Sequence, residues 1–284
     1  MSIESKVLKE APVKSKVKGN NFFSWSQLPA WARQTLLLVV ILLLWQITFK
    51  VMDINPLLLS SPSEIGKVFW QNWINGTLLS VTVATMKILL LGMFIGIVVA
   101  AILTTLATWT QIGNDLLTLL TAVLNPIPAI GVLPLAIIWF GLTPTSLVFV
   151  LANAITWPIA INVSMGFRTV SPTILMVGRN LGLRGWRLVK DVYMPAALPH
   201  MISGLKTGWA FGWRTIIAAE LVFGVAGSGG GLGFFISQAR FFLKIPDMFA
   251  GLVTISLIGI LFDVLFNQIE KKTVIRWGMK AQGK

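Results

Sequence analysis

Residues 178–204 read GRNLGLRGWRLVKDVYMPAALPHMISG, a basic segment set between two long apolar runs. Arg179, Arg184, Arg187 and Lys190 recur at spacings of five, three and three, with Leu181, Leu183, Trp186, Leu188 and Val189 between them. This spacing predicts one short amphipathic helix over 179–190, lying outside a membrane. Gly182 and Gly185 admit a close backbone approach or a sharp turn, and Pro195 and Pro199 break the segment from the next run. Such a segment suits docking to a partner, or resting on lipid headgroups, more than catalysis.

The rest of the chain sets that loop in a membrane protein. Hydrophobic residues make up 55% of 284 residues and charged ones 12%, with 12 Trp and 17 Phe, too apolar for one soluble core with a solvated surface. Apolar runs near 35–52, 78–107, 116–140, 146–166, 198–225 and 248–269 each suffice for the roughly 20 residues of a spanning helix, which predicts six spans. They do not alternate apolar and polar residues, so a β-barrel is excluded. Residues 1–33 read as a basic tail, loosely attached or disordered, and 34–284 as one membrane domain without internal repeats.

Loop charge orients the spans. Of 23 basic residues, Lys6, Lys9, Lys14, Lys16, Lys18 and Arg33 precede the first span; Arg168, Arg179, Arg184, Arg187 and Lys190 lie between the fourth and fifth; Lys271, Lys272, Arg276, Lys280 and Lys284 follow the sixth. The opposite loops carry only Lys67, Arg240 and Lys244. Positive loops stay cytoplasmic, so both termini and the 178–204 loop are expected inside. The net charge of +13 is thus topological, not a sign of nucleic-acid binding, although the tail could touch anionic lipid. Polar residues before the first span and the lack of a small-residue cleavage site argue against a cleaved signal peptide.

Catalytic and metal chemistry find no residues to carry them. There is no cysteine, and the single His200, beside Pro199, reads as an interfacial residue at a helix start. No HExxH, GxSxG or paired-carboxylate spacing occurs, and Ser61 stands where a phosphate-binding loop ending in Gly66-Lys67 needs glycine. The Gly-rich run 227–233 lacks the following Lys-Ser/Thr and reads as a flexible loop on the outer side. No catalytic residue, metal or cofactor is therefore expected on this chain; any ATP used would be hydrolysed by another.

Among the charged residues inside spans four stand out: Lys87, Lys206, Arg214 and Glu220. An ion at that depth is expensive unless it faces a cavity or a partner. Arg214, next to Trp213, has the planar fork that grips a small oxyanion and leads the candidates for a translocation pathway; the alternative is that it pairs with Glu220 or another buried acid. Glu220 reads as structural, and Lys87 and Lys206 as pathway residues or snorkelling side chains. Asn125-Pro126-Ile127-Pro128 must break the third span, which then borders either a path or a packed neighbour. Gly92 and Gly96 form a small-xxx-small pair for close helix packing.

The loop resembles that of the integral-membrane permease subunits of ATP-binding-cassette importers, whose pattern is Glu-Ala-Ala, three residues, Gly, then about nine residues to Leu-Pro. Gly182 matches the pattern's glycine, and Met194–Pro199 with Gly204 its closing segment, while Met176, Val177 and Gly178 replace the opening triplet. LPLAIIWFG at 133–141, GLKTGWAFGWRTIIAAEL at 204–221 and GLGFFI at 231–236 are similar to the nitrate, sulfonate, taurine and bicarbonate branch. The resemblance implies an all-α fold of six spans with a coupling helix that docks on the ATPase through Arg179, Gly182, Leu183, Arg184, Trp186 and Arg187. It further implies a second permease copy, most simply a homodimer, an extracytoplasmic substrate-binding protein, ATP on the ATPase subunits, alternating access and the bacterial inner membrane. Arg214 tilts the cargo toward a small anion, with a small organic heterocycle as the other option. An ion-coupled secondary transporter would instead need coupling-ion sites, and here in-span acids are few and no inverted halves are evident; a membrane enzyme would need a reactive constellation.

Overall fold

The computed structural model describes residues 28–223 and 230–275. Most of the basic tail, the glycines at 227–229, and Arg276, Lys280 and Lys284 lie outside the described residues. Within them every regular element is helical. α1 (Ala30–Val51) belongs to a first unit ending at Val51; none of its residues is buried, as suits a helix apolar on all sides.

The second unit, from Met52 on, comprises α2 (Pro62–Ile74), α3 (Thr77–Trp109), α4 (Gln111–Leu124), a 3-10 turn (Ala129–Val132) leading into α5 (Leu133–Phe140), and α6 (Pro144–Arg168). After these come α7 (Pro172–Asn180), α8 (Trp186–Leu188), a π-helical segment (Val189–Tyr193), α9 (Met194–Ala196), α10 (Leu198–Phe223), α11 (Leu232–Phe241) and α12 (Ile245–Glu270). The stretch 53–76, expected as an outer loop, thus contains a 13-residue helix. Ser61 caps it by accepting the Glu64 N–H at 3.3 Å, and Pro62 fills the first helical position. This cap, proline and acidic first turn is the combination that starts helices.

Among the described residues four helices, α1, α3, α6 and α12, are long and apolar enough to cross a bilayer, and α4 with 129–140 makes a fifth if the bent pair is one span. The expected count of six is therefore not reached on length and apolarity: α10 is 26 residues long but carries Lys206, Arg214 and Glu220. The expected break in the third span is present as a 90° bend between α4 and the 129–140 segment. Pro126 and Pro128 lack the N–H that would continue the ladder, and the Gly131 N–H restarts it by donating to the Pro128 carbonyl at 2.8 Å.

α6 is the buried centre of this unit, flanked by α3 and α10. Glycines make the approach possible on both flanks. A Cβ at Gly92 or Gly96 of α3 would come within 2.5 Å of Leu151 or 3.0 Å of Ile155 on α6. On α10, a Cβ at Gly208 or Gly212 would reach Ile159 at 2.9 Å or Ile155 at 2.7 Å. Ile155, fully buried, is gripped from both sides. The expected packing of Gly92 and Gly96 within the protomer is thus found, and the four-residue spacing of Gly204, Gly208 and Gly212 adds a second small-residue stripe. Gly208→Leu is expected to destabilise the unit by roughly 1–3 kcal/mol through overpacking. Thermal denaturation of the detergent-solubilised protein measures this; an unchanged melting temperature would show that the stripe is not a close contact.

Candidate functional site

The loop expected to dock on a partner begins where α7 ends. Gly182 has φ +79°, its N–H donates to the Arg179 carbonyl at 2.9 Å, and the Leu183 N–H donates to the Gly178 carbonyl at 3.0 Å. These two bonds form a Schellman motif, which places a left-handed residue just past the helix end. Gly185 follows with φ +55°, and helical structure resumes at Trp186. The single amphipathic helix expected over 179–190 is therefore two helix ends joined by a turn, because two glycines at positive φ override the spacing of the basic residues.

The turn lies on a packed base. Gly178 is buried, and a Cβ there would come within 3.0 Å of Val192 and 3.2 Å of Leu188. A small residue is required at this place, which accounts for one position of the departing triplet; Met176 and Val177 are exposed. Val189 and Val192 are buried, and Tyr193 meets Phe167 of α6 with ring centroids 5.3 Å apart. Above this base Arg179, Arg184 and Arg187 are exposed, with Leu181 at 76% and Trp186 at 54%; Leu183 is half-buried. The result is an exposed apolar and cationic surface on a rigid turn. Beneath it, an apolar cavity of about 140 Å³ is lined by Thr104, Val163, Phe167, Trp186, Val189 and Met201.

The pathway candidates are dispersed over two sides of α10. Ser203, Phe211, Arg214 and Val222 lie on its exposed face, and among the described residues nothing hydrogen-bonds Arg214. Trp213 is buried on another side, its ring parallel to that of Trp209 at 6.2 Å, while Trp209 stacks on Phe262 of α12 at 3.6 Å. Arg214 and its neighbouring Trp213 are therefore not brought to one surface, since adjacent residues on a helix point about 100° apart. Lys206 donates to Asn267 Oδ1 of α12 at 2.8 Å, and Lys87 is exposed on α3. His200, in the first turn of α10, packs its Cβ toward Gly166.

Glu220 is fully buried and does not pair with Arg214. Its carboxylate accepts the Thr85 hydroxyl, 3.0 Å from both oxygens, and the Gly233 N–H at 2.9 Å. The end of the glycine-rich run is accordingly not loop: Leu232 and Gly233 form the first turn of α11, held against α10. Two further residues escape a reading by spans alone. Asp263 is an exposed acid within α12, one helical turn before Asn267, and among the described residues it has no partner. Asn72 of α2 donates to Asp247 at 2.6 Å and joins the unpredicted helix to the start of α12. A tally of every acid inside an apolar run would have found Asp263.

Residues 92–275, from the glycine seam of α3 through the docking turn to the end of α12, match the family described as the binding-protein-dependent transport system inner membrane component. The chain belongs to this family. As a permease subunit of the ATP-binding-cassette type, it is a multi-pass membrane protein and not itself an enzyme. The putative aliphatic sulfonates transport permease SsuC of Bacillus subtilis is 27% identical, covering 89% of this permease and 90% of its own length. The taurine transport system permease TauC of Escherichia coli is 27% identical over 83% and 86%. The riboflavin transport system permease RibX of Chloroflexus aurantiacus is 29% identical over 84% and 88%. The family match begins after α2, so α1 and α2 stand outside it.

Proposed function

We propose that two copies of this permease enclose a pathway for a small organosulfonate, with α10 and the bent α4 to α5 segment completing six spans in each copy. Both termini and the docking turn face the cytoplasm, as the distribution of Lys and Arg requires, and the host membrane is the bacterial inner membrane. The observation that carries the reading is the open face of α10, where Arg214 stands exposed near mid-helix without a partner among the described residues. A guanidinium there cannot be left to lipid, so a second copy or a water-filled path must cover it. Its bidentate donors suit a sulfonate group. Sulfonate and taurine permeases among the relatives support that cargo.

In the cycle we propose, ATP binding brings two ATPase subunits together, and the surface formed by Arg179, Gly182, Leu183, Arg184, Trp186 and Arg187 carries the motion to the bundle. The pathway then opens outward to a substrate-binding protein, and hydrolysis resets it. Lys87 and Lys206 contribute positive potential near the path, whereas Trp213 and Glu220 support α10 from behind. An ion-coupled secondary transporter is disfavoured by the family match.

The test is purification of the tagged permease from its native membrane, followed by reconstitution with whatever ATPase and binding protein accompany it. Expected are a co-purifying ATPase and ATP-dependent accumulation of radiolabelled taurine or a short alkanesulfonate. The riboflavin permease among the relatives favours one second reading, a small heterocycle, which accumulation of flavin without sulfonate would establish. A permease that arrives without any ATPase would overturn the importer cycle.

A further inference from the structure

Besides supporting α10, Glu220 joins a buried contact between α3, α10 and α11. Thr85 and Glu220 are both fully buried. The first amides of a helix have no acceptor within it and carry partial positive charge. In α11 both early amides are taken: Leu232 N–H donates to Thr85 Oγ1 at 2.8 Å and Gly233 N–H donates to Glu220 Oε2 at 2.9 Å. Thr85 in turn donates its hydroxyl hydrogen bond to the Glu220 carboxyl group, so one hydroxyl and one carboxyl group pin three helices. A buried donor or acceptor left without its partner costs more than the hydrogen bond itself contributes.

Two glycines confirm how closely α11 is seated. A Cβ on Gly231 would fall on the Glu220 carboxylate, and one on Gly233 would lie 2.5 Å from the Ile217 carbonyl oxygen. The other side of α11 walls a cleft of about 310 Å³, lined by Asn72, Thr77, Gln238, Lys244 and Asp247 among others. This cleft is at the end of the unit opposite the docking turn, because α3 begins and α10 ends there.

We infer that Thr85 and Glu220 are positioning residues for transport: they fix α11 to α3 and α10 so that the three move as one body, and the cleft wall stays shut unless the whole bundle moves. This rests on the permease reading. A loosened α11 lets the cleft breathe without ATP, which lowers substrate moved per ATP hydrolysed.

The chain contains no cysteine, so Ala239→Cys, at a buried position of α11 that lines the cleft, gives a single reporter for a membrane-impermeant maleimide. In the full complex, Thr85→Val is expected to raise the labelling rate roughly ten-fold, as loss of one buried acceptor implies, and to lower uptake per ATP by a similar factor. Thr85→Ser, which keeps the hydroxyl, should restore both, and Gly231→Ala should reproduce the Thr85→Val result from the other side. Unchanged labelling and coupling in Thr85→Val and Gly231→Ala would overturn the inference, as would a Thr85→Ser protein no better than Thr85→Val. If Thr85→Val does not accumulate, Gly231→Ala decides in the same way. A parent chain lacking any ATPase partner would sink the importer cycle alone, since labelling reads α11 directly.

Discussion

Gly182→Val is expected to abolish ATP-driven uptake, by at least about 100-fold, while the permease remains in the membrane. The reason is backbone conformation and not space: Gly182 sits at φ +79°, and a Cβ there would meet nothing within 4 Å. A left-handed conformation costs an L-residue roughly 1–2 kcal/mol, and a β-branched residue more. At about ten-fold per 1.4 kcal/mol, the fraction of molecules with a native turn falls at least several-fold. The remaining loss arises because Arg179 and Leu181 lie before the turn and Arg184, Trp186 and Arg187 after it, so a changed turn separates the two halves of the docking surface. Asn tolerates the left-handed region best after glycine, so the expected order of uptake is Gly, Asn, Ala, Val. Transport assays across that series, with membrane abundance measured in parallel, are decisive. A valine variant with normal uptake would remove the turn from the docking mechanism.

Arg214→Ala is expected to reduce sulfonate uptake about 100-fold with co-purification of the ATPase unchanged. No described residue leans on the guanidinium, so its removal leaves no buried acid unpaired and the fold is little disturbed. Arg214→Lys keeps the charge but presents a point donor in place of a planar fork, so partial recovery of uptake should accompany a raised KM. Steady-state uptake kinetics in proteoliposomes separate these outcomes. Kinetics of Arg214→Ala identical to the parent would take Arg214 out of the pathway and leave it as a contact to the second copy.

The chain's features were legible where the governing chemistry is local. Continuous apolar runs mark the helices, Pro126 and Pro128 break the third run by lacking donors, and Gly92 with Gly96 announces a close helix approach. The 179–190 segment was misread, because basic residues at helical spacing said helix while Gly182 and Gly185 at positive φ said turn, and the glycines prevail. Ser61, Pro62 and Glu64 carried a full helix-start signal for α2 that a search for spans passes over. Facing was beyond the sequence: Trp213 inside and Arg214 outside differ by one residue, and only the position of α12 decides which is covered. Glu220 could be called structural from its sequence, but not given its partners, since Thr85 is 135 residues away.

α6 also bears on how the protein is made. It is less hydropathic than α3, 1.7 against 2.7, yet 78% of its apolar window is buried, and Asn153, Thr156 and Asn162 lie within it. During synthesis α3 is already in place when α6 leaves the ribosome, whereas the glycines of α10 that close over Ile155 and Ile159 arrive some 50 residues later, several seconds at usual rates of elongation. Until then one flank of α6 is bare. A chain that stalls before Gly208 therefore leaves Ile155 and Ile159 of α6 covered on one side only.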